Sequence, residues 1–348
     1  MGDLDTPGVP EKKGFDRFFG YYHQIHAHNY YPEYLIDTGQ KLPLAGNRGF
    51  YAKKPAAGPF PVRDPESGLE RQFSAHLIQG EMLSWLGRQT KGPFFCYAPW
   101  TIPHGSHEIP ESDPAWMKYK DKPWNVAARV HAAFVTMADR FVGETMAQLE
   151  DLGCAQNTLV FFSSDNGAAN SFRGSLNSGG ELRGQKTQLY EGGIRIPFFA
   201  RLPGRIQAGS SSNLPIYFPD VLPTIADITQ TTRWLPSAID GASFAGEALG
   251  RAKLSRSRPM YWEWNNDHFE LPYRVSKQAC RRGPWKIVRH DTAQPWELYN
   301  LAEDSRELHD LATIHPPIVK ELTSWVDAHR VDPPEQIEPQ KPTRQQWR

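Results

Sequence analysis

The chain has 348 residues, and its 39 Lys and Arg are balanced by 39 Asp and Glu, so the formal net charge is zero. That length suggests two domains, or one large domain with an appendage. Apolar residues at 39% and aromatics at 12% exclude a disordered polypeptide, and the balanced charge argues against a protein that lives on nucleic acid or an anionic membrane.

The opening Met1-Gly2-Asp3-Leu4-Asp5-Thr6 has neither a basic nor an apolar region, so no signal peptide is expected in this chain and its localisation stays open. It matches the short M-G-x-x-x-[ST] myristoylation pattern, which recurs often by chance. No apolar stretch approaches the ~18 residues that would span a bilayer. Residues 14–35, dense in aromatics, fit neither a helical nor an alternating template and predict structured loop with short elements. A helix is expected from Ser74 to about Gly87, with Leu77, Ile78, Met82, Leu83 and Leu86 on one side. Pro93-Phe94-Phe95-Cys96-Tyr97-Ala98 predicts a buried strand, and a long helix follows over Asn125–Leu152, its Val126, Val130, Phe134, Met137 and Phe141 spaced three and four apart. Thr158–Phe162 predicts another buried strand. Strand, long helix and strand in that order point to a crossover within a largely parallel sheet.

A further strand is expected at Arg195–Ala200 and a helix near Asp220–Thr229. Beyond about Lys253 the pattern turns to short strands, Met260–Trp264, Tyr273–Lys277 and Trp285–Val288, closed by an amphipathic helix at about 317–329. The expected division is therefore a catalytic-type α/β domain over 1–252, a small α+β subdomain with an antiparallel sheet over 253–331, and a polar tail over 332–348. Cys96, Cys154 and Cys280 are too widely spaced for a disulfide framework or a CxxC metal site.

Three segments carry residue types suited to chemistry. Ser163-Ser164-Asp165-Asn166-Gly167 follows a predicted strand, at the sheet edge where ligands bind in α/β proteins. Asp165 and Asn166 offer a carboxylate and an amide oxygen, hard donors suited to Ca²⁺ or Mg²⁺, although Asp-Asn-Gly is equally a good turn. His104, after Pro103, can hydrogen-bond an anion or protonate a leaving oxygen, or sit idle on the surface. Lys186 lies in a glycine-punctuated stretch, Arg183 to Arg195, where a compact cation suits a tetrahedral oxyanion; a solvated loop lysine fits the same residues. His23, His26 and His28 lack zinc spacing and read as a packed segment, with His26 or His28 a candidate for a pocket rim. Tyr261-Trp262-Glu263-Trp264 reads as core before sugar platform. No G-x-S-x-G elbow supports Ser-His-Asp catalysis.

Four of these segments together resemble the type I sulfatases (arylsulfatases) of the alkaline phosphatase-like superfamily. They are Gly14–Tyr21 with its AHNYYP continuation, the Pro103-His104 turn, Ser164-Asp165-Asn166-Gly167, and Leu182 through Pro197. Pro219–Thr224 and Glu297–Leu301 also fit the arylsulfatase pattern, so the resemblance covers nearly the whole chain. It implies an alkaline phosphatase-like α/β fold, a largely parallel sheet flanked by helices, with a small antiparallel C-terminal domain. It also implies Ca²⁺-assisted hydrolysis of a small-molecule or glycan sulfate ester, with Mg²⁺ a possible substitute. By resemblance, Asp165 and Asn166 are metal ligands, and His104 and Lys186 hold the sulfate and neutralise or protonate the leaving oxygen.

The family's nucleophile is a formylglycine made within a C/S-x-P-S-R motif, and none of the 348 residues forms one. The paired acidic ligands and the GKxHxG segment of the family are likewise missing. The chain resembles a sulfatase without its N-terminal portion, its sheet incomplete there, and little or no turnover is expected from it alone. The competing expectations are a non-catalytic sulfate- or glycan-binding relative and a phosphoesterase of the same superfamily, the latter disfavoured by an Asp-Asn pair with no adjacent His.

Overall fold

A computed structural model describes residues 3–4, 6–50, 57–89, 92–169, 172, 174–256, 258–264 and 277–331. The myristoylation match at Met1-Gly2, residues 273–276 of the strand expected over Tyr273–Lys277, and the tail over 332–348 lie outside the described residues. The chain divides into two compact units, whose described residues fall within 1–155 and 156–331.

In the first unit, strands β1 (Phe19–Gly20), β2 (Tyr34–Asp37) and β3 (Gln40–Pro43) form an antiparallel sheet in that order. The segment is aperiodic because it is fixed by aromatic burial, with Tyr30 and Tyr31 almost fully enclosed among Phe50, Phe60 and Phe73. Strand β4 (Ala57–Phe60) pairs in parallel with β5 (His107–Pro110). Helix α1 (Ser74–Gly87) lies in the connection between them, as a parallel pair requires a long crossover. Its bounds match expectation, but its fully buried side chains are Ser74, Ala75, Gln79 and Leu86. Leu77, Ile78, Met82 and Leu83 are only half-buried, so the core line runs along a neighbouring face.

Helix α2 (Val126–Asp151) is the main support of this unit. Asn125 caps its start, its Oδ1 accepting the Ala128 N–H at 2.8 Å and so satisfying one orphan donor of the first turn. Val130, Phe134, Met137 and Phe141 are buried, as their spacing predicts, against Tyr30, Phe73 and Trp116. Residues 93–98 differ from expectation, because no strand forms there. Phe95 and Tyr97 are 62% and 69% exposed, and among the described residues no backbone ladder joins this run to a partner. Apolar content alone does not make a strand; each strand amide needs a neighbour to bond.

In the second unit, β6 (Val160–Ser163) and β7 (Phe198–Arg201) pair antiparallel, with Val160 opposite Arg201. The parallel arrangement suggested by the sequence does not apply to this pair. Among the described residues the connection between the two strands holds only the single turn Glu191–Ile194, without a crossover helix. Helix α3 (Val221–Ile228) follows.

Strands β8 (Met260–Trp264), β9 (Lys277–Arg282), β10 (Trp285–Arg289) and β11 (Glu297–Asn300) form an antiparallel sheet in the order β11-β10-β9-β8. The antiparallel C-terminal sheet is as expected; β11 is a strand over residues that the sequence marks only as a motif. The sheet is covered on both faces. Cys280, Ile287 and Leu298 pack on Leu322 and Val326 of helix α4 (Pro316–His329), whereas Ala279, Val288 and Tyr299 pack on Leu189 and Tyr190. Tyr261, Trp262 and Trp264 join these two clusters, which is the core role the sequence favoured. Cys96 is exposed, Cys154 half-buried and Cys280 buried, and none is cross-linked.

Phe134 is fully buried 4.9 Å from the Tyr30 ring centroid. Truncation by Phe134→Ala should therefore cost about 3–5 kcal/mol, read as a lowered urea midpoint; an unmoved midpoint would place this ring outside the core.

Candidate functional site

Strand β6 delivers the chain into the turn Ser164-Asp165-Asn166-Gly167. Ser163 Oγ donates to the Pro197 carbonyl at 2.9 Å and Ser164 Oγ to the Asn166 carbonyl at 3.1 Å, fixing the turn locally. Asp165 is exposed, and among the described residues its carboxylate accepts no hydrogen bond. Asn166 Nδ2 donates to the Gly167 carbonyl at 3.0 Å.

The stretch carrying Lys186 is docked directly on this turn, backbone to backbone. The Lys186 N–H donates to the Ala168 carbonyl and the Gly167 N–H to the Gly193 carbonyl, both at 2.9 Å. The approach is possible because glycines occupy the contact points. A Cβ on Gly167 would lie 2.1 Å from the Gly192 oxygen of the loop, and within the loop itself one on Gly193 would lie 2.0 Å from the Gln188 oxygen. Asp165, Asn166 and Lys186 are thus brought to one locality within the second unit.

Two positions beside the lysine adopt left-handed backbone, Gly184 at φ +84° and Thr187 at φ +75°. Glycine tolerates this freely, whereas a β-branched residue stores about 1–3 kcal/mol of strain. The surroundings hold Thr187 there: Lys277 Nζ donates to its carbonyl at 2.6 Å. The loop is also clasped to the antiparallel sheet. Arg183 lies 3.8 Å over the Tyr190 ring and donates to Tyr299 Oη at 2.8 Å. Tyr190 Oη donates to Glu297 at 2.8 Å, and the Leu189 N–H to His290 Nε2 at 3.0 Å. That last bond requires a neutral His290. Burial, reinforced by Lys277, lowers its pKa from 6.5 to about 4.

His104 belongs to the first unit. Its ring stacks on His28, centroids 4.6 Å apart and planes 9° from parallel. Nδ1 is paired with the Gly105 carbonyl, so that nitrogen carries the proton and Nε2 is the basic position. Tyr30 Oη donates to the His104 carbonyl at 2.9 Å. Of the other histidines, His26 is buried between Tyr21 and Tyr34, and its pKa is lowered to about 4 by burial and then by Lys41. The exposed His28 is the one beside a candidate site residue. His107 is likewise lowered to about 4, by burial and then by His131 and His104.

The oxygen donors of Asp165 and Asn166 are of the type that binds Ca²⁺ or Mg²⁺, but they are two, against about 6–8 for Ca²⁺. Among the described residues no group of three or more His, Cys, Asp or Glu is placed to hold a metal ion. On donor number, these residues alone do not make a calcium site. Among the described residues no helix is long and apolar enough to cross a membrane.

Fold and loops together define a mixed α/β protein in which a lysine-bearing loop is seated on an Asp-Asn turn at the end of a strand. A sulfatase family model matches residues 4–231, and a model described as N-sulphoglucosamine sulphohydrolase, C-terminal, matches residues 183–331. The chain belongs to the sulfatase family. It is 31% identical over 247 residues to a sulfatase of Formosa agariphila, covering 64% of this chain and 43% of that one. It is 29% identical over 284 residues to the steryl-sulfatase of Rattus norvegicus, covering 72% and 47% respectively. Its fold is similar to that of Ps i-CgsB, crystallised with k-i-k-neocarrahexaose, with a TM-score of 0.75 at 21% identity over 94% of this chain and 69% of that one. The chain spans about half the length of the curated relatives it matches.

Gly167→Ala should push the turn and the loop apart at a cost of about 1–3 kcal/mol or more; a variant as stable as wild type would show that the two backbones do not touch. The histidines set a pH dependence. The unfolded chain protonates His26, His107 and His290 near pH 6.5, the folded chain only near 4. Stability is therefore full above about pH 6.5 and falls as the pH descends through that window. Melting temperature should drop between about pH 7.5 and about pH 5, and a flat profile would contradict the assignment.

Proposed function

We propose that this chain serves the hydrolysis of a sulfate ester carried by a glycan or a small molecule. The observation that carries the reading is the seating of the Lys186 loop on the Asp165-Asn166 turn through Gly167, Gly192 and Gly193. In it Lys186, a compact cation with three N–H donors, holds the tetrahedral anion, and among the described residues its ammonium forms no ion pair. His104, with its proton fixed on Nδ1, offers Nε2 to hold a proton destined for the leaving oxygen. Asp165 and Asn166 supply two oxygen ligands to a Ca²⁺ ion, with Mg²⁺ as the alternative. Such an ion, when bound, would neutralise charge on the sulfate oxygens.

Because no C/S-x-P-S-R motif occurs in the 348 residues, this polypeptide alone should bind a sulfate ester but turn it over little. That same observation favours a second reading, a sulfate- or glycan-binding relative without catalysis. The two share the anion site and differ in chemistry.

Calorimetric titration with an aryl sulfate tests the site. Lys186→Ala removes a charge-assisted bond worth about 1.5–3 kcal/mol, so affinity should fall about tenfold or more, with a smaller loss for His104→Ala. Unchanged binding in both variants would remove these residues from the site. Hydrolysis of the aryl sulfate with Ca²⁺ by the chain alone, at about 1 per second or faster, would overturn the expected inactivity.

A further inference from the structure

The loop that carries Lys186 ends on a buried ionic group that the proposed chemistry does not use. Lys286 of β10 is fully buried. Its Nζ donates to Glu191 Oε1 at 2.9 Å and lies 2.8 Å from Glu307 Oε1. Glu191 and Glu307 are themselves buried, and Glu307 Oε2 accepts the Glu191 backbone N–H at 2.6 Å. Arg195 Nε donates to the second Glu191 oxygen at 2.9 Å. Arg281 approaches that same oxygen at 3.9 Å.

The sheet register explains how these groups meet. Lys286 is directly opposite Arg281 on β9 and Tyr299 on β11. All three meet the 183–195 segment, Arg281 and Lys286 through Glu191 and Tyr299 through Arg183. Around them are Leu189, Tyr190, Ala279 and Val288, an apolar setting in which an ionic group costs more than a hydrophobic replacement of equal volume. Stability is a weak reason for such a group, and fixing one conformation is the better attested use of it. The conformation fixed here is that of Glu191, which begins the turn running into Gly192 and Gly193, the glycines seated on Gly167.

We propose that Lys286, held between Glu191 and Glu307, is a positioning residue that keeps the 183–193 loop seated on the Asp165-Asn166 turn and thereby sets Lys186 in place to hold the sulfate. The proposal rests on reading Lys186 as the sulfate-holding cation, and its test separates the two ideas. In the full chain, amide exchange at Lys186, Gly167 and Gly193 is compared with exchange in the β9–β10 ladder, and inorganic sulfate is titrated in parallel. Lys286→Met should speed exchange at those three amides at least tenfold while the ladder amides keep wild-type rates, and should weaken sulfate binding by a similar factor. Lys286→Arg, which keeps a cation between the two carboxylates, should restore most of both. If Lys286→Met does not fold, Glu191→Gln gives the same readout with the side-chain shape preserved. Unchanged exchange at the three amides, or equal acceleration throughout the sheet, overturns the positioning role whether or not sulfate binds. Absence of sulfate binding in wild type overturns the reading of Lys186 and leaves the exchange result to decide the role of Lys286.

Discussion

The second unit depends on a contact that no side chain makes. At Gly167 the turn approaches Gly192 and Gly193 of the loop until there is no room for a Cβ. This approach brings an Asp-Asn turn that ends a strand and the loop bearing Lys186 into hydrogen-bonded register, although about twenty residues separate them in sequence. Close backbone packing is stiff, so the polar groups it carries have little freedom to rearrange, which is what preorganised electrostatics needs.

The antiparallel sheet supplies the other half of that rigidity. One of its faces is ordinary core, Ile287 and Leu298 against Leu322 and Val326. The other is mixed: Val288 and Ala279 bury Leu189 and Tyr190, while Arg281, Lys286 and Tyr299 meet the polar groups of the loop. Charge is tolerated there because it is shared. Burial alone would raise both carboxylates; the Lys286 ammonium, helped by Arg195 and Arg281, outweighs burial at Glu191 and lowers it, whereas Glu307 stays raised. The two carboxylates are thus shifted in opposite directions, downward at the residue that enters the glycine turn.

Much of this was legible in the sequence where one period dominates. Helix α2 follows its three-and-four spacing through Val130, Phe134, Met137 and Phe141, and β8 and β10 fall where short β-rich runs predict them. Legibility failed where the decisive partner is distant. Phe94 to Ala98 is as apolar as a strand yet has no ladder among the described residues. Strands β6 and β7 run antiparallel because of the connection between them, which no local pattern encodes. For the candidate site, Asp165, Asn166, His104 and Lys186 are proposed from residue chemistry and family likeness. The stacking of His28 on His104 and the seating of the loop required coordinates. Lys286 was invisible for another reason: a lysine in a strand ordinarily marks a solvent face, and only the coverage of both sheet faces reveals it as interior.

The Glu191, Lys286 and Glu307 group carries an evolutionary corollary. Its members are buried and balance one another's charge, so a neutral residue at 286 alone would leave carboxylates without their ammonium in apolar surroundings. Among descendants of this chain, substitutions that change the charge at 191, 286 and 307 should arrive in concert. The three codons, scattered along the gene, should therefore drift as a single hereditary trait.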